Sequence, residues 1–139
     1  MPVAGPSNIR GPGLNHGAEP EATRLLRRAD YLRVQAAEIR AARPGVLLQA
    51  AAVADPGHLG LGFTASKKVG NAVRRNRARR RLKALAAEMF PRHARAGHDY
   101  VLVARQATPE RPFAELRRDL EQALRKLRLW QPGQPEAGA

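Results

Sequence analysis

Residues 66–83 read Ser-Lys-Lys-Val-Gly-Asn-Ala-Val-Arg-Arg-Asn-Arg-Ala-Arg-Arg-Arg-Leu-Lys, and nine of the chain's 25 Lys and Arg fall inside them. No acidic residue occurs from Pro56 through Ala87. A solvated helix face ordinarily mixes both signs, because opposite charges one turn apart attract and like charges repel. A helix with this much unrelieved positive charge is disfavoured alone, and a polyanion offsets that cost. The competing reading is an ordinary arginine-rich surface helix. Nine cations without an acid weigh against it.

The rest of the composition agrees. A 139-residue chain with a formal charge of +13 is one domain plus tails, and it suits a nucleic-acid partner. An anionic membrane surface would also attract such charge. The longest apolar run, Val46–Ala54, is interrupted by Gln49 and is far too short to span a bilayer. With one Arg and no apolar core, the N-terminus does not read as a signal peptide. The absence of cysteine excludes disulfides and Cys-based zinc sites. A cytoplasmic protein with no membrane partner is the expectation.

Outward from the basic stretch, Gly70-Asn71 opens a helix expected to run to Phe90, where Pro91 stops it. Leu82, Leu85, Ala86, Met89 and Phe90 recur at helical spacing and form its buried stripe, continued by Ala78. Asn76, Arg77, Arg80 and Lys83 then project away from that stripe, Arg74 and Arg81 flank it, and Arg75 falls near the apolar side. Before the helix, Leu59–Ser66 alternates apolar residues with Gly60, Gly62, Thr64 and Ser66. It reads as a strand whose glycines admit a close neighbour, either a helix or a ligand. Val46–Ala54 reads as a buried strand, and the two are expected to pair as a hairpin. Further upstream, Asp30 caps a helix expected to reach Ala42, with Leu32, Ala36 and Ile39 on one side and Arg43-Pro44-Gly45 ending it. Downstream, Asp99–Ala104 is a short strand. Residues 113–129 form a last helix with Phe113, Leu116, Leu120, Leu124 and Leu127 inside, and Glu115, Arg117, Arg118, Asp119, Glu121 and Arg125 outside. Residues 1–23 and 131–139 are rich in Gly and Pro without periodicity and read as a disordered tail and a flexible end around a domain at 24–130.

No catalytic or metal constellation emerges. His93 and His98 stand in an expected loop beside Asp99 alone, and Gly57–Gly62 lacks the Gly-Lys-Ser/Thr of a phosphate loop. The 12 acidic residues do not gather as magnesium ligands, so no hydrolytic site is expected in the protein alone.

Ser66-Lys67-Lys68-Val69-Gly70-Asn71-Ala72-Val73, then Arg75-Asn76-Arg77 and Arg79-Arg80-x-Leu82-Lys83, resemble the signature of the protein subunit of bacterial ribonuclease P. Arg24–Tyr31, Gly62-Phe63-Thr64 and His98–Val103 extend the resemblance over about residues 24–129. It implies an α+β fold, an α-β sandwich on a small mixed sheet, with the basic helix in a left-handed βαβ crossover of a kind that only about 2% of such connections adopt. It further implies a ribonucleoprotein endonuclease that removes the 5′ leader of precursor tRNA, with magnesium and the chemistry carried by a catalytic RNA. By the same resemblance, Arg75, Asn76, Arg77, Arg79, Arg80 and Lys83 face that RNA, with Lys67, Lys68, Asn71 and Arg74 nearby. Tyr31 and Phe63 would meet the single-stranded leader. Gln35 stands where the family often has a second aromatic, so the leader grip expected here rests more on shape and charge. The alternative from another class is a ribosomal protein or RNA chaperone using the same basic surface.

Overall fold

The computed structural model describes residues 23–132. The tail expected at 1–23 lies outside these residues except for Thr23, and so does the C-terminal end beyond Pro132. In chain order the elements are β1 (Thr23–Leu25), α1 (Arg28–Ala37), β2 (Ile39–Arg43), β3 (Val46–Ala52), β4 (Leu59–Thr64), α2 (Ala72–His93), β5 (His98–Ala104) and α3 (Phe113–Lys126), with a 3₁₀ turn at Lys67–Val69 before α2.

The strands form one mixed five-stranded sheet in the order β1-β4-β5-β3-β2. β1, β4 and β5 run parallel, while β5, β3 and β2 alternate in direction. The expected hairpin of residues 46–54 with 59–66 does not form, because β5 lies between those strands and pairs with both. Burial explains the exchange. β5 is apolar on both faces at Tyr100, Val101 and Leu102, which suits the centre of a sheet. β4 therefore meets β5 in parallel through the α2 crossover.

The true hairpin is β2–β3, closed at Pro44-Gly45 with Arg43 opposite Val46. Residues 39–42, expected as helix, are thus strand. Glu38 ends α1 in the left-handed conformation at φ 58°, and the backbone of Ile39–Arg43 then finds its partners on β3. Asp30 caps α1 from inside its first turn, accepting the Arg27 N–H at 3.0 Å. Pro91 does not stop α2. It sits in the last turn, and the helix closes at Ala94, whose N–H reaches the Phe90 carbonyl.

The sheet separates two apolar layers. One face, with Leu59 and Leu61 of β4, Tyr100 and Leu102 of β5, and Val46, Leu48 and Ala50 of β3, packs under α2 and α3. There Leu82, Leu85, Met89 and Phe90 meet Leu116, Leu120 and Leu124, and Phe90 stands edge-on to Tyr100 at 4.9 Å. The opposite face carries α1 through a smaller cluster of Val34, Ala51 and Val101, with Leu26, Tyr31 and Val103 against it. Asp119, expected on the wet side of α3, is instead buried, accepting from the Gly45 N–H and the Arg111 guanidinium.

Candidate nucleic-acid interface

The basic stretch begins with a tight entry. Gly70 takes φ 139°, a region closed to most side chains, and Asn71 caps α2 by accepting the Arg74 N–H at 3.0 Å. Asn71 is thereby committed to the helix start.

Once α2 is regular, its cations divide into two stripes. Arg74, Arg77 and Arg81 lean onto the loop between β5 and α3. Arg74 bonds Val69 and Gln106 carbonyls and the Glu110 carboxylate; Arg77 donates to the Pro109 carbonyl at 2.8 Å; Arg81 reaches both Thr108 and Arg111 carbonyls at 2.6 Å. Burial and the nearby charge of Arg77 push the Arg81 pKa below its ordinary value. Arg75 folds back to the Gly70 carbonyl at 3.0 Å, which accounts for its place near the apolar side.

The second stripe is Asn76, Arg79, Arg80 and Lys83. Arg79 donates to the Asn76 side chain. Arg80 and Lys83 are exposed and make no side-chain hydrogen bond or ion pair among the described residues, and the same is true of Lys67 and Lys68 before the helix. Of the ten residues expected at an RNA surface, then, these four make no side-chain bond to the protein among the described residues. Arg77, expected on the open face, spends its Nε–H on the protein, while Arg77, Arg80 and Arg81 together line an acid-free groove floored by Ala84 and Phe113.

Across the sheet, Tyr31 and Phe63 do not share a surface. Tyr31 lies on the α1 side, its ring seated over Gly62, where a Cβ would come within 2.6 Å of it, and its hydroxyl accepts the Phe63 N–H at 3.1 Å. The Phe63 side chain points to the other face and packs on the α2/α3 core. Beside α1 the sheet stays open. A groove of about 540 Å³ is walled by Arg40, Lys68 and Arg105, with Ala42, Leu47, Val69 and Val103 contributing its apolar surface. Arg40 and Arg105 escaped sequence reasoning. They stand far apart in the chain, and only the hairpin and the placement of β5 bring them together.

The family model described as Ribonuclease P matches residues 20–128. The chain belongs to that family. It is 51% identical over 108 residues to the ribonuclease P protein component of Paramagnetospirillum magneticum, covering 75% of this chain and 81% of that one. Identity to the ribonuclease P protein component of Ruegeria pomeroyi is 46% over 112 residues, covering 78% and 88%. Among solved structures, the Staphylococcus aureus RNase P protein superposes with a TM-score of 0.66 at 25% identity, over 80% of this chain and all of that one. A variant of the S. aureus protein, described as defective in mRNA degradation activity, superposes at 0.65 with 25% identity, over 76% and 88%. The fold, α+β on a mixed sheet, is thus that of bacterial ribonuclease P proteins. Among the described residues no helix is long and apolar enough to cross a membrane.

Proposed function

We propose that this chain is the protein subunit of a ribonuclease P ribonucleoprotein, acting in the cytoplasm on precursor tRNA. It binds the catalytic RNA through Lys67, Lys68, Asn76, Arg79, Arg80 and Lys83, and it holds the 5′ leader in the groove beside α1. The observation that carries this reading is continuity: Lys68 both lines the groove and opens the acid-free stripe of α2. A single strand leaving the groove passes Lys68 and the uncharged, acid-free turn at 69–73 before it reaches the cations of α2. Forked arginine donors match phosphate oxygens there, and Tyr31 supplies an aromatic ring over Gly62 on the same sheet face. The left-handed crossover of the family belongs to the same reading.

The chemistry is assigned to the RNA. Cleavage of a phosphodiester with magnesium calls for gathered oxygen ligands. Among the described residues no three His, Asp or Glu side chains come together in that way. The described residues do not fit the ion, and the reading leaves magnesium to the RNA. The protein lowers repulsion between two polyanions and orients the substrate.

The test is reconstitution. RNA-free protein with magnesium leaves precursor tRNA intact, and adding the cognate catalytic RNA yields accurate 5′ cleavage. Site-specific cleavage of the precursor by the protein alone would overturn the assignment. Ribosomal RNA co-purifying in place of one large non-ribosomal RNA would favour the ribosomal reading. The same RNA-free preparation, offered a messenger RNA, tests whether the degradation named for the S. aureus protein extends to this chain.

A further inference from the structure

Helix α1 lies on the sheet face that the groove opens onto, where Val103 both lines the groove and packs against the α1 cluster, yet apolar burial holds the helix weakly. Val34 is its only fully buried side chain, and Leu32 is 56% exposed. Polar contacts supply the rest. Asp99, only 2% exposed, sits on β5 beneath α1 and accepts from two directions. Arg33 of α1 donates to its Oδ2, and His58, in the lead-in to β4, lies with Nε2 2.5 Å from Oδ1. The fit depends on residue 60 being glycine. Gly60 is the register partner of Asp99, and a Cβ there would overlap Oδ1 and come within 2.7 Å of Leu26. Two residues along the same strand, Gly62 receives the Tyr31 ring. The carboxylate and the aromatic are thus neighbouring supports of one helix.

We propose that Asp99 is a positioning residue for the leader: the Arg33–Asp99–His58 clamp fixes how α1, and with it Tyr31, stands over the sheet, and so sets how strongly the groove distinguishes precursor from mature tRNA. The inference rests on the leader-groove reading above. A buried carboxylate is tolerated when its charge and lone pairs are met, and here one guanidinium and one imidazole meet them. Replacing the charge by an amide weakens the Arg33 bond and leaves Arg33 to Asp30 at 3.4 Å, within α1 itself. The helix then loses its strongest polar tie to β5 while keeping its fold.

The experiment uses the reconstituted holoenzyme. Affinities for mature tRNA and for precursors with leaders of about one and about eight nucleotides are compared in wild type, Asp99→Asn, Gly60→Ala, Tyr31→Ala and the Asp99→Asn/Tyr31→Ala double variant. Affinity for the catalytic RNA and melting temperature are measured alongside. Asp99→Asn is expected to reduce the preference for the long leader roughly five-fold or more, on the scale of one base left unstacked. Binding of the short-leader substrate and of the catalytic RNA stays at the wild-type level. Gly60→Ala gives the same pattern, and the double variant loses less than the product of the two single losses. Arg33→Gln breaks the clamp from its exposed end and gives the same readout should Asp99→Asn melt below the assay temperature. Wild-type leader dependence in both Asp99→Asn and Arg33→Gln, with Tyr31→Ala impaired, overturns the clamp alone. So does a parallel loss for every RNA. A wild-type enzyme indifferent to leader length overturns the groove reading and the clamp with it.

Discussion

Arg77 and Arg80 lie three residues apart and do different work. Arg80 has no protein partner among the described residues, whereas Arg77 bonds the Pro109 carbonyl. Neutralising Arg80 and Lys83 together, as Arg80→Gln/Lys83→Gln, is expected to flatten the log K against log salt slope for RNA by about 1.4–1.8, at roughly 0.7–0.9 for each phosphate that the protein ceases to neutralise. The melting temperature should not move. An unchanged slope, or a lowered melting temperature, would remove these side chains from the interface. The motif itself gives no hint of this division, since arginine is equally suited to a phosphate and to a carbonyl. Backbone acceptors such as Pro109 O carry no mark in the sequence, so Arg77 reads as free until the loop it touches has been placed.

At the scale of elements, α2 and the β5–α3 loop behave as one unit. Arg81 spans two carbonyls, Thr108 and Arg111, and Thr108 in turn donates to the Gly45 carbonyl, tying the loop to the β2–β3 turn. Arg81→Ala leaves both loop acceptors without that partner and is expected to cost about 1–3 kcal/mol. Arg81→Lys recovers little, because one ammonium cannot reproduce the fork. Denaturant unfolding of the three proteins checks it; a wild-type midpoint in Arg81→Ala would show the loop to be held by other contacts. The elements themselves were largely legible. The stripe Ala78, Leu82, Leu85, Ala86, Met89, Phe90 follows from helical spacing, and all six side chains are buried. Gly60 and Gly62 were legible as points of close approach, and neighbouring side chains fill both, Asp99 of the adjacent strand at one and Tyr31 of α1 at the other. Strand partners were not legible: alternation in Leu59–Thr64 reveals which residues share a face, but not which strand lies alongside. Ile39–Ala42 misled for a related reason, since alanine-rich residues accept either conformation and pairing with β3 decides between them.

For the molecule as a whole, both apolar layers depend on the central strand, and Tyr100 is its largest buried side chain. Its hydroxyl donates to the Arg95 carbonyl at 2.6 Å, and burial raises its pKa well above the ordinary value near 10. The neutral phenol is therefore favoured by folding. That stability is complete below pH about 10 and is lost as the pH climbs from there toward the higher folded value, because the unfolded chain then releases a proton that the native state retains. Denaturant midpoints between pH 8 and about 11 should fall more steeply for wild type than for Tyr100→Phe, which starts lower for want of the hydrogen bond. Parallel curves would mean that Tyr100 does not govern the alkaline limit.

The place of β5 also bears on how the chain is made. Among the described residues it is the last strand in chain order, yet it lies between β4 and β3. Until residues 98–104 have emerged, the β1–β4 pair and the β2–β3 hairpin share no ladder, and each presents a bare edge of the kind that invites wrong pairing. The sheet closes late, through contacts distant in sequence, which is the slow kind of folding step. All nine cations of residues 66–83 are by then already synthesised. The nascent chain therefore carries its charge for polyanions before it has the sheet that orients that charge.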